Sequence, residues 1–501
     1  MSTLRALARA QAVASGRAQP VATVRHLHLS ERPLVLVPLA LAGEANAPLA
    51  AMVGAAPDEA RLLVVPQPRN RDQRFAFAAE LAAIVLPYLD EFRDLTEAVP
   101  VDRGRDVRHR YADAPQLLVP SPAGITFLRL FGRSTRFRRT DGDYPVHQSV
   151  PLLGRWLTFF AERAEQPGSS ALLALADALT LHWATGQSTV EDLHLPAVLG
   201  WLDPPAGLTG AEAAARAEDP ARCPPAGPAT DPDFDNRRLA PAIEAYTRAG
   251  DDPVARAAAY DELVGLLRDQ LAPTWELMWR GVGLLRTLPA GARVAGRWAG
   301  DRDAFTAHAE HIDAGGGPQP RRDGAVAAAL RLQRLERAST AWAVQRAYDD
   351  PLVMAEHRLA GEAFVGEVTL ADPARVDDSG KRPVLRPRIQ VVTTEPVPMP
   401  VGARLFSPQR PAQKATVVFV TPGADGKTEV VLELSGGMGR GLTAPHGSVP
   451  EVGERICLTS LSDGFLPGGA FPAPEETPWT HGGPPGTAAA PQDPAPAEDW
   501  S

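Results

Sequence analysis

The chain is poor in cysteine and nearly free of lysine. Cys223 and Cys457 are the only cysteines among 501 residues, which excludes a disulfide framework and any cysteine-based zinc site. A reducing, cytoplasmic setting is expected on that ground. No apolar run approaches the roughly 20 residues needed to cross a bilayer, so no membrane association is expected. The N-terminal "MSTLRALARAQAVASGRAQP" is basic and Ala-rich but lacks the leucine-rich centre of a signal peptide, and a frayed surface helix is expected there.

Catalytic signatures are scarce as well. No Gly-x-Ser-x-Gly elbow occurs, so a hydrolase of that type is unsupported. "PGADGKT" has Thr421 where a P-loop requires glycine, and strands rather than a helix follow it, so ATP hydrolysis by this chain alone is not expected. "SGGMGRGLTAP", Ser435 to Pro445, is glycine-rich after a strand. Pro445 and Pro450 oppose the helix whose N-terminus would face a pyrophosphate. A flexible inter-strand loop is expected, with Arg440 a candidate for nucleic-acid backbone contact. No cofactor is expected. His308 and His311 lie three apart with Asp313 nearby, a spacing that suits zinc on one helix face. Without a third ligand, solvated helix-surface histidines are the simpler expectation. Asp72 and Glu80 would suit a nuclease-like acidic site, but no companion strand supplies a further acid and lysine.

What is abundant is arginine. All three lysines, Lys381, Lys414 and Lys427, sit near the C-terminus, leaving 51 − 3 = 48 arginines. With the heavy use of Ala and Pro, this suggests a GC-rich coding sequence, and part of the arginine count is discounted accordingly. The net charge of −9 hides an asymmetry: residues 1–150 hold 19 Arg against 15 Asp and Glu, giving +4 and leaving −13 for the rest. Such a balance argues against a generally basic nucleic-acid coat but permits a local basic site.

Residues 1–148 repeat one pattern. "PLVLVP", "RLLVVP" and "QLLVP" are short apolar runs stopping at Pro38, Pro66 and Pro120, as expected of doubly buried strands ending at proline. Helical patterns follow from Arg74 and Ala123. Strand, loop and helix in repetition predict a small parallel α/β sheet, whose ligands gather at the strand carboxyl ends. Residues 149–204 read as helical, with Trp156, Trp183 and Trp201 as core anchors. Residues 205–236, rich in Pro, Ala and Asp, read as a linker or exposed loop. A helical domain is expected over 237–362, including a long helix from about 324 to 348. Short β-branched segments over 363–462 predict a small antiparallel barrel or sandwich, with a hairpin tip at Asp425-Gly426. Residues 463–501 read as a disordered acidic tail. The whole is a multidomain α+β chain.

Arginines gather after the predicted strands: Arg69, Arg71 and Arg74; Arg103, Arg105, Arg108 and Arg110; Arg133, Arg136, Arg138 and Arg139. The first and third groups are candidates for phosphate or nucleic-acid contact, because guanidinium forks match phosphate and Phe131 and Phe137 add stacking surface. The alternative is interleaved solvated loops, since Asp72, Asp106, Asp141 and Asp143 sit among them.

The helix "AVAAALRLQRLERASTAWAVQRAY" leading into "FVGEVTLADP" and, further on, "GSVPEVGERICLTSL" resembles the stalk and accessory β-barrel of superfamily-one RNA/DNA helicases of the nonsense-decay type. The likeness spans residues 324–462, with "VGARLFS" and "VGERICLTSL" as barrel strands entered through a Val-Gly turn. The Walker loop and acidic metal motif of those helicases are absent here. The resemblance therefore implies a nucleic-acid-contacting or partner-docking module without the motor, the ATPase being a separate chain. A non-catalytic nucleic-acid-binding or helicase-associated accessory protein is expected. A protein-only scaffold and an unrecognised nuclease at the strand ends are the alternatives.

Overall fold

The computed structural model describes residues 2–44, 47–101, 105–423, 426–462 and 464. Arg103, Asp425 of the expected hairpin tip and, apart from Gly464, the expected tail lie outside the described residues. The chain divides into two compact units. The larger comprises Leu7–Val21 and Arg25–Ser339, and the other is built mainly from Thr340 onward.

The larger unit is organised around a five-stranded sheet. Its strands are β1 (Leu34–Ala40), β2 (Pro48–Gly54), β3 (Arg61–Val64), β4 (Leu117–Val119) and β5 (Leu172–Ala174), in the order β3-β2-β1-β4-β5. The three proline-punctuated runs are β1, β3 and β4. β1, β4 and β5 pair in parallel, whereas β2 runs antiparallel between β1 and β3. The sheet is therefore mixed rather than wholly parallel. β2, "PLAAMVG", is buried at every position, yet its alanines carry little strand propensity, so its sequence did not announce it. β1 also continues past Pro38 to Ala40. Its ladder with β4 pairs only Leu34 and Val35, so the proline's missing donor falls beyond that ladder.

Three helices cover this sheet: Arg71–Asp90, Pro122–Thr135 and Ser149–Ala164. Phe77, Leu81, Val85, Phe127, Phe131, Trp156 and Phe160 form a shared core with the strands. The second and third helices meet through glycines. A Cβ on Gly132 would lie 2.9 Å from the Thr158 nitrogen, and one on Gly154 would collide with the Arg136 backbone. That close approach fixes where the chain leaves the second helix, and with it the run Arg136–Arg139.

Buried polar groups tie the irregular segments down. Gln116 Nε2 donates to the carbonyls of His28 and Ser170, and its Oε1 accepts from the Ser30 N–H. Asp301, 1% exposed, ion-pairs with Arg163 and accepts from Ser169 Oγ and the Ser170 N–H. His28 stacks on Trp298 at 3.9 Å, and Trp298 Nε1 donates to Asp113 at 2.7 Å. Burial lowers the His28 pKa to about 4.

The histidine pair expected at a helix surface divides. His308 stacks on Phe159 at 4.6 Å and meets the edge of Trp156. Burial holds its pKa at about 4, with the Arg155 charge adding to the effect. It is a neutral member of an aromatic core. His311 bonds the Gly317 carbonyl, and Asp313 pairs with Arg93. Among the described residues no group of three His, Cys, Asp or Glu is placed to hold a metal ion.

The longest helix, Pro253–Arg286, starts at an Asp252 cap with proline at its first position, as its sequence predicts. Within 205–236 lies the helix Gly210–Ala217, closed by a Thr209/Glu212 capping box, and its Ala214 packs with Trp201. The long helix expected near 324–348 spans Ala325–Asp349.

The second unit contains a closed six-stranded antiparallel barrel. Its strands are β6 (Ala363–Asp372), β7 (Arg388–Thr393), β8 (Arg404–Ser407), β9 (Arg410–Pro422), β10 (Thr428–Ser435) and β11 (Arg455–Thr459). The order around the barrel is β6-β7-β10-β9-β8-β11, and closure leaves no open edge. All six match the β-branched segments seen in the sequence. Alternation sends Ile389, Val391, Val417, Val430, Leu432 and Leu434 inward. Among the described residues no helix is long and apolar enough to cross a membrane.

Candidate functional site

The loop after β3 ends at Asn70, whose side chain accepts from the Asp72 and Gln73 N–H groups and starts the Arg71–Asp90 helix. Arg71 and Phe75 are one turn apart on that helix, and the Arg71 guanidinium lies 4.8 Å from the Phe75 ring centre. Arg138, beyond the second helix, approaches the same ring at 5.1 Å. Tyr144 joins them: its carbonyl accepts from Arg71, and its ring lies 5.5 Å from the Arg71 guanidinium. Tyr144 is 75% exposed. Two arginines from different candidate groups thus share one phenylalanine, with an accessible tyrosine beside them. Cation–ring contacts of this kind hold guanidinium planes in place while leaving donors outward.

The remaining candidates do other things. Arg69 and Arg74 both ion-pair with Glu44, at 2.7 and 3.2 Å, so one carboxylate offsets part of their charge. Arg139 lies 3.6 Å from Asp141, and Arg133 is exposed. Arg136 is 5% exposed. It donates to the carbonyls of Gln319 and Pro320 and to Thr158 Oγ1. Burial lowers its pKa, with Arg133 contributing. Its guanidinium sits 5.0 Å from the Phe137 ring, as does that of Arg321. Arg136 is therefore a bracket between segments rather than a free ligand group. Phe131, expected as a stacking surface, is 2% exposed and belongs to the core.

In the group between the first and third, Arg108 and Arg110 pair with Asp303, and Arg110 also with Glu97. They fasten the hairpin Thr96–Val101/Asp106–Tyr111 to the Val294–Asp313 helix. Asp72, the nuclease candidate, bonds Arg71 at 2.8 Å and is highly exposed.

Arg440 belongs to the barrel unit. It is exposed in the glycine-rich loop after β10. That loop is anchored: Met438 is 3% exposed within the barrel core. Gly436 has φ +75°, and a Cβ there would lie 2.8 Å from the Ala412 carbonyl oxygen. Only glycine suits that position.

Tyr144 and Glu44 are the residues that arginine counting missed. Tyr144 sits in the acidic, Gly-containing stretch "TDGDYP", whose composition reads only as a turn. Compared with known protein families, curated proteins and solved structures, the chain matches none.

Proposed function

We propose that the larger unit binds single-stranded nucleic acid without acting on it chemically, as a cytoplasmic accessory to a separate ATPase or helicase chain. The meeting of Arg71 and Arg138 at Phe75, beside exposed Tyr144, carries this reading. Phosphate needs guanidinium donors, and unpaired bases need an accessible ring. Sequence-tolerant binders of single strands combine the two. Arg133 adds an exposed cation to the surface available to the backbone, Arg139 does so in part beside Asp141, and Arg440 is a candidate for backbone contact on the barrel unit by itself. Binding of labelled single-stranded RNA and DNA, followed by fluorescence anisotropy over a salt series, tests it. Each neutralised phosphate contributes a slope of about −0.7 in log K against log salt on single strands. Engagement of three arginines therefore gives a slope near about −2. Absent or salt-independent binding rejects the proposal.

One observation favours the protein-scaffold alternative for the second unit. Leu370, Gln390, Val431 and Phe419 are lateral neighbours across β6, β7, β10 and β9. Leu370 is 62% and Phe419 60% exposed, on the outside of the barrel. Glu367 and Glu429 lie in the next row. An apolar row beside carboxylates suits a protein surface carrying apolar and basic side chains, and repels phosphate. Under this alternative Phe419→Glu abolishes co-purification of a bound protein and leaves oligonucleotide binding unchanged. Co-purification that survives the substitution counts against it.

A further inference from the structure

A groove of about 320 Å³ lies in the larger unit where the helices Leu195–Leu202, Gly210–Ala217 and Pro253–Arg286 meet. Its volume stands at the small end of the range for small-molecule sites. The sequence leaves room for it. Ala213 and Ala217 of the middle helix line the groove with side chains too short to fill it. Leu199, Leu208 and Leu277 supply the rest of an apolar wall. Leu199 is buried, whereas Leu208 and Leu277 are half-buried.

Arg216, Arg222, Arg280 and Asp203 also line the groove. Arg280 pairs with Asp203, and Arg222 with Asp219 at 3.1 Å. Arg216 is exposed and has no ion-pair partner among the described residues. Glu212, one turn before it, is engaged by Thr209 in the capping box. One positive charge is thus left beside an apolar wall. An apolar surface joined by a few polar groups is the usual composition of a ligand site. The complement here is a single negative charge on an apolar body. The volume equals about ten water molecules at ~30 Å³ each, the size of an eight-carbon acid.

We propose that this groove binds a free aliphatic monocarboxylate of about eight carbons. Its chain lies along Leu199, Leu208 and Leu277, and its carboxylate meets Arg216. Arg222 and Arg280 are each matched by an aspartate, so no second charge is left to recognise a dianion such as a phosphate monoester. The site is separate from the arginine–aromatic site and does not depend on nucleic-acid binding.

The chain carries its own reporter. Cys223 lines the groove and is half-buried, whereas Cys457 is buried. Burial raises the Cys223 thiol pKa, so its alkylation by N-ethylmaleimide at about pH 8 is slow enough to time. The full chain is labelled with and without butyrate, hexanoate, octanoate, dodecanoate, 1-octanol or octylammonium, and the Cys223 peptide is followed by mass spectrometry. Octanoate should slow Cys223 labelling saturably. Affinity should rise about fourfold per added methylene up to octanoate and level off by dodecanoate, where the groove is full. 1-Octanol and octylammonium should bind at least about threefold more weakly. Arg216→Gln should erase the preference for octanoate over 1-octanol. Ala217→Phe should fill the groove and abolish the octanoate effect, each variant being compared with its own unliganded rate and keeping its far-UV circular dichroism. Isothermal titration, which does not depend on the thiol, should give the same order of ligands. An unchanged labelling rate with octanoate, octanol or octylammonium as effective as octanoate, or protection surviving both variants overturns the proposal. Heat of octanoate binding without protection of Cys223 places the acid elsewhere and overturns it too.

Discussion

Arg138 lays its guanidinium 5.1 Å from the ring of Phe75, a residue it is far from in sequence. The contact joins the segment after β3 to the segment after the Pro122–Thr135 helix. It exists because Gly132 and Gly154 let two helices approach closely enough to set the direction of the chain at Arg136. Packing at small residues thus decides where a charge is delivered.

Tyr144 and Arg71 should separate stacking from charge. Tyr144→Leu is expected to cost single-strand affinity about 1–3 kcal/mol at constant salt slope. Arg71→Gln should reduce the slope by about 0.7. Fluorescence anisotropy of each variant from low to high salt reads both effects. Equal slopes for Arg71→Gln and the parent chain would remove Arg71 from the interface.

Glu44 holds two arginines back from any anion. Glu44→Gln should release Arg69, 78% exposed, and remove a negative charge beside Arg74, tightening oligonucleotide binding at low salt and steepening its salt dependence. The Arg69 pair is exposed and contributes little, whereas Arg74 is 12% exposed, so the loss of stability should stay within about 1 kcal/mol. Weaker binding in this variant would count against phosphate recognition here.

Arg136 acts on stability rather than on ligands. Arg136→Ala leaves the Gln319 and Pro320 carbonyls and Thr158 Oγ1 without their donor. A loss of about 1–2 kcal/mol is expected, because Thr158 Oγ1 is buried while the Gln319 and Pro320 carbonyls are partly open to water, measured by urea denaturation. A loss below about 0.5 kcal/mol would show that water replaces the guanidinium there.

Gly154→Ala places a methyl group against the Arg136 backbone and Thr135 Oγ1. Overpacking of this kind costs about 1–3 kcal/mol. Because it also displaces the run that carries Arg138, oligonucleotide affinity should fall although no contacting residue is changed. Thermal unfolding and anisotropy on the same preparation check the two effects together.

His28 and His308 confer a pH dependence. Each has a folded pKa near 4 against 6.5 for the free group. Between those values the unfolded chain binds protons that the folded chain does not, so acid favours unfolding. The contribution is complete above about pH 6.5 and is lost as pH falls toward 4. His308→Leu should flatten the stability profile across that window. An unchanged slope between pH 6.5 and 4 would contradict the neutral, stacked state of this ring.

The barrel was written locally. Six β-branched segments bounded by Gly and Pro appear in the sequence where β6 to β11 lie, because alternation along a strand and turn chemistry both act over a few residues. The same holds for the Asp252 cap and for the runs that became β1, β3 and β4. β2 was not legible, since alanines show strand character only when neighbouring strands supply the burial. The arginines divide on the same principle. Residue type alone makes Arg71, Arg136 and Arg138 equivalent. Tertiary packing buried Arg136 against the Gln319 and Pro320 carbonyls and brought Arg71 and Arg138 to one ring. A guanidinium's role depends on its distance to groups remote in the chain, and those distances are set only when helices close on each other.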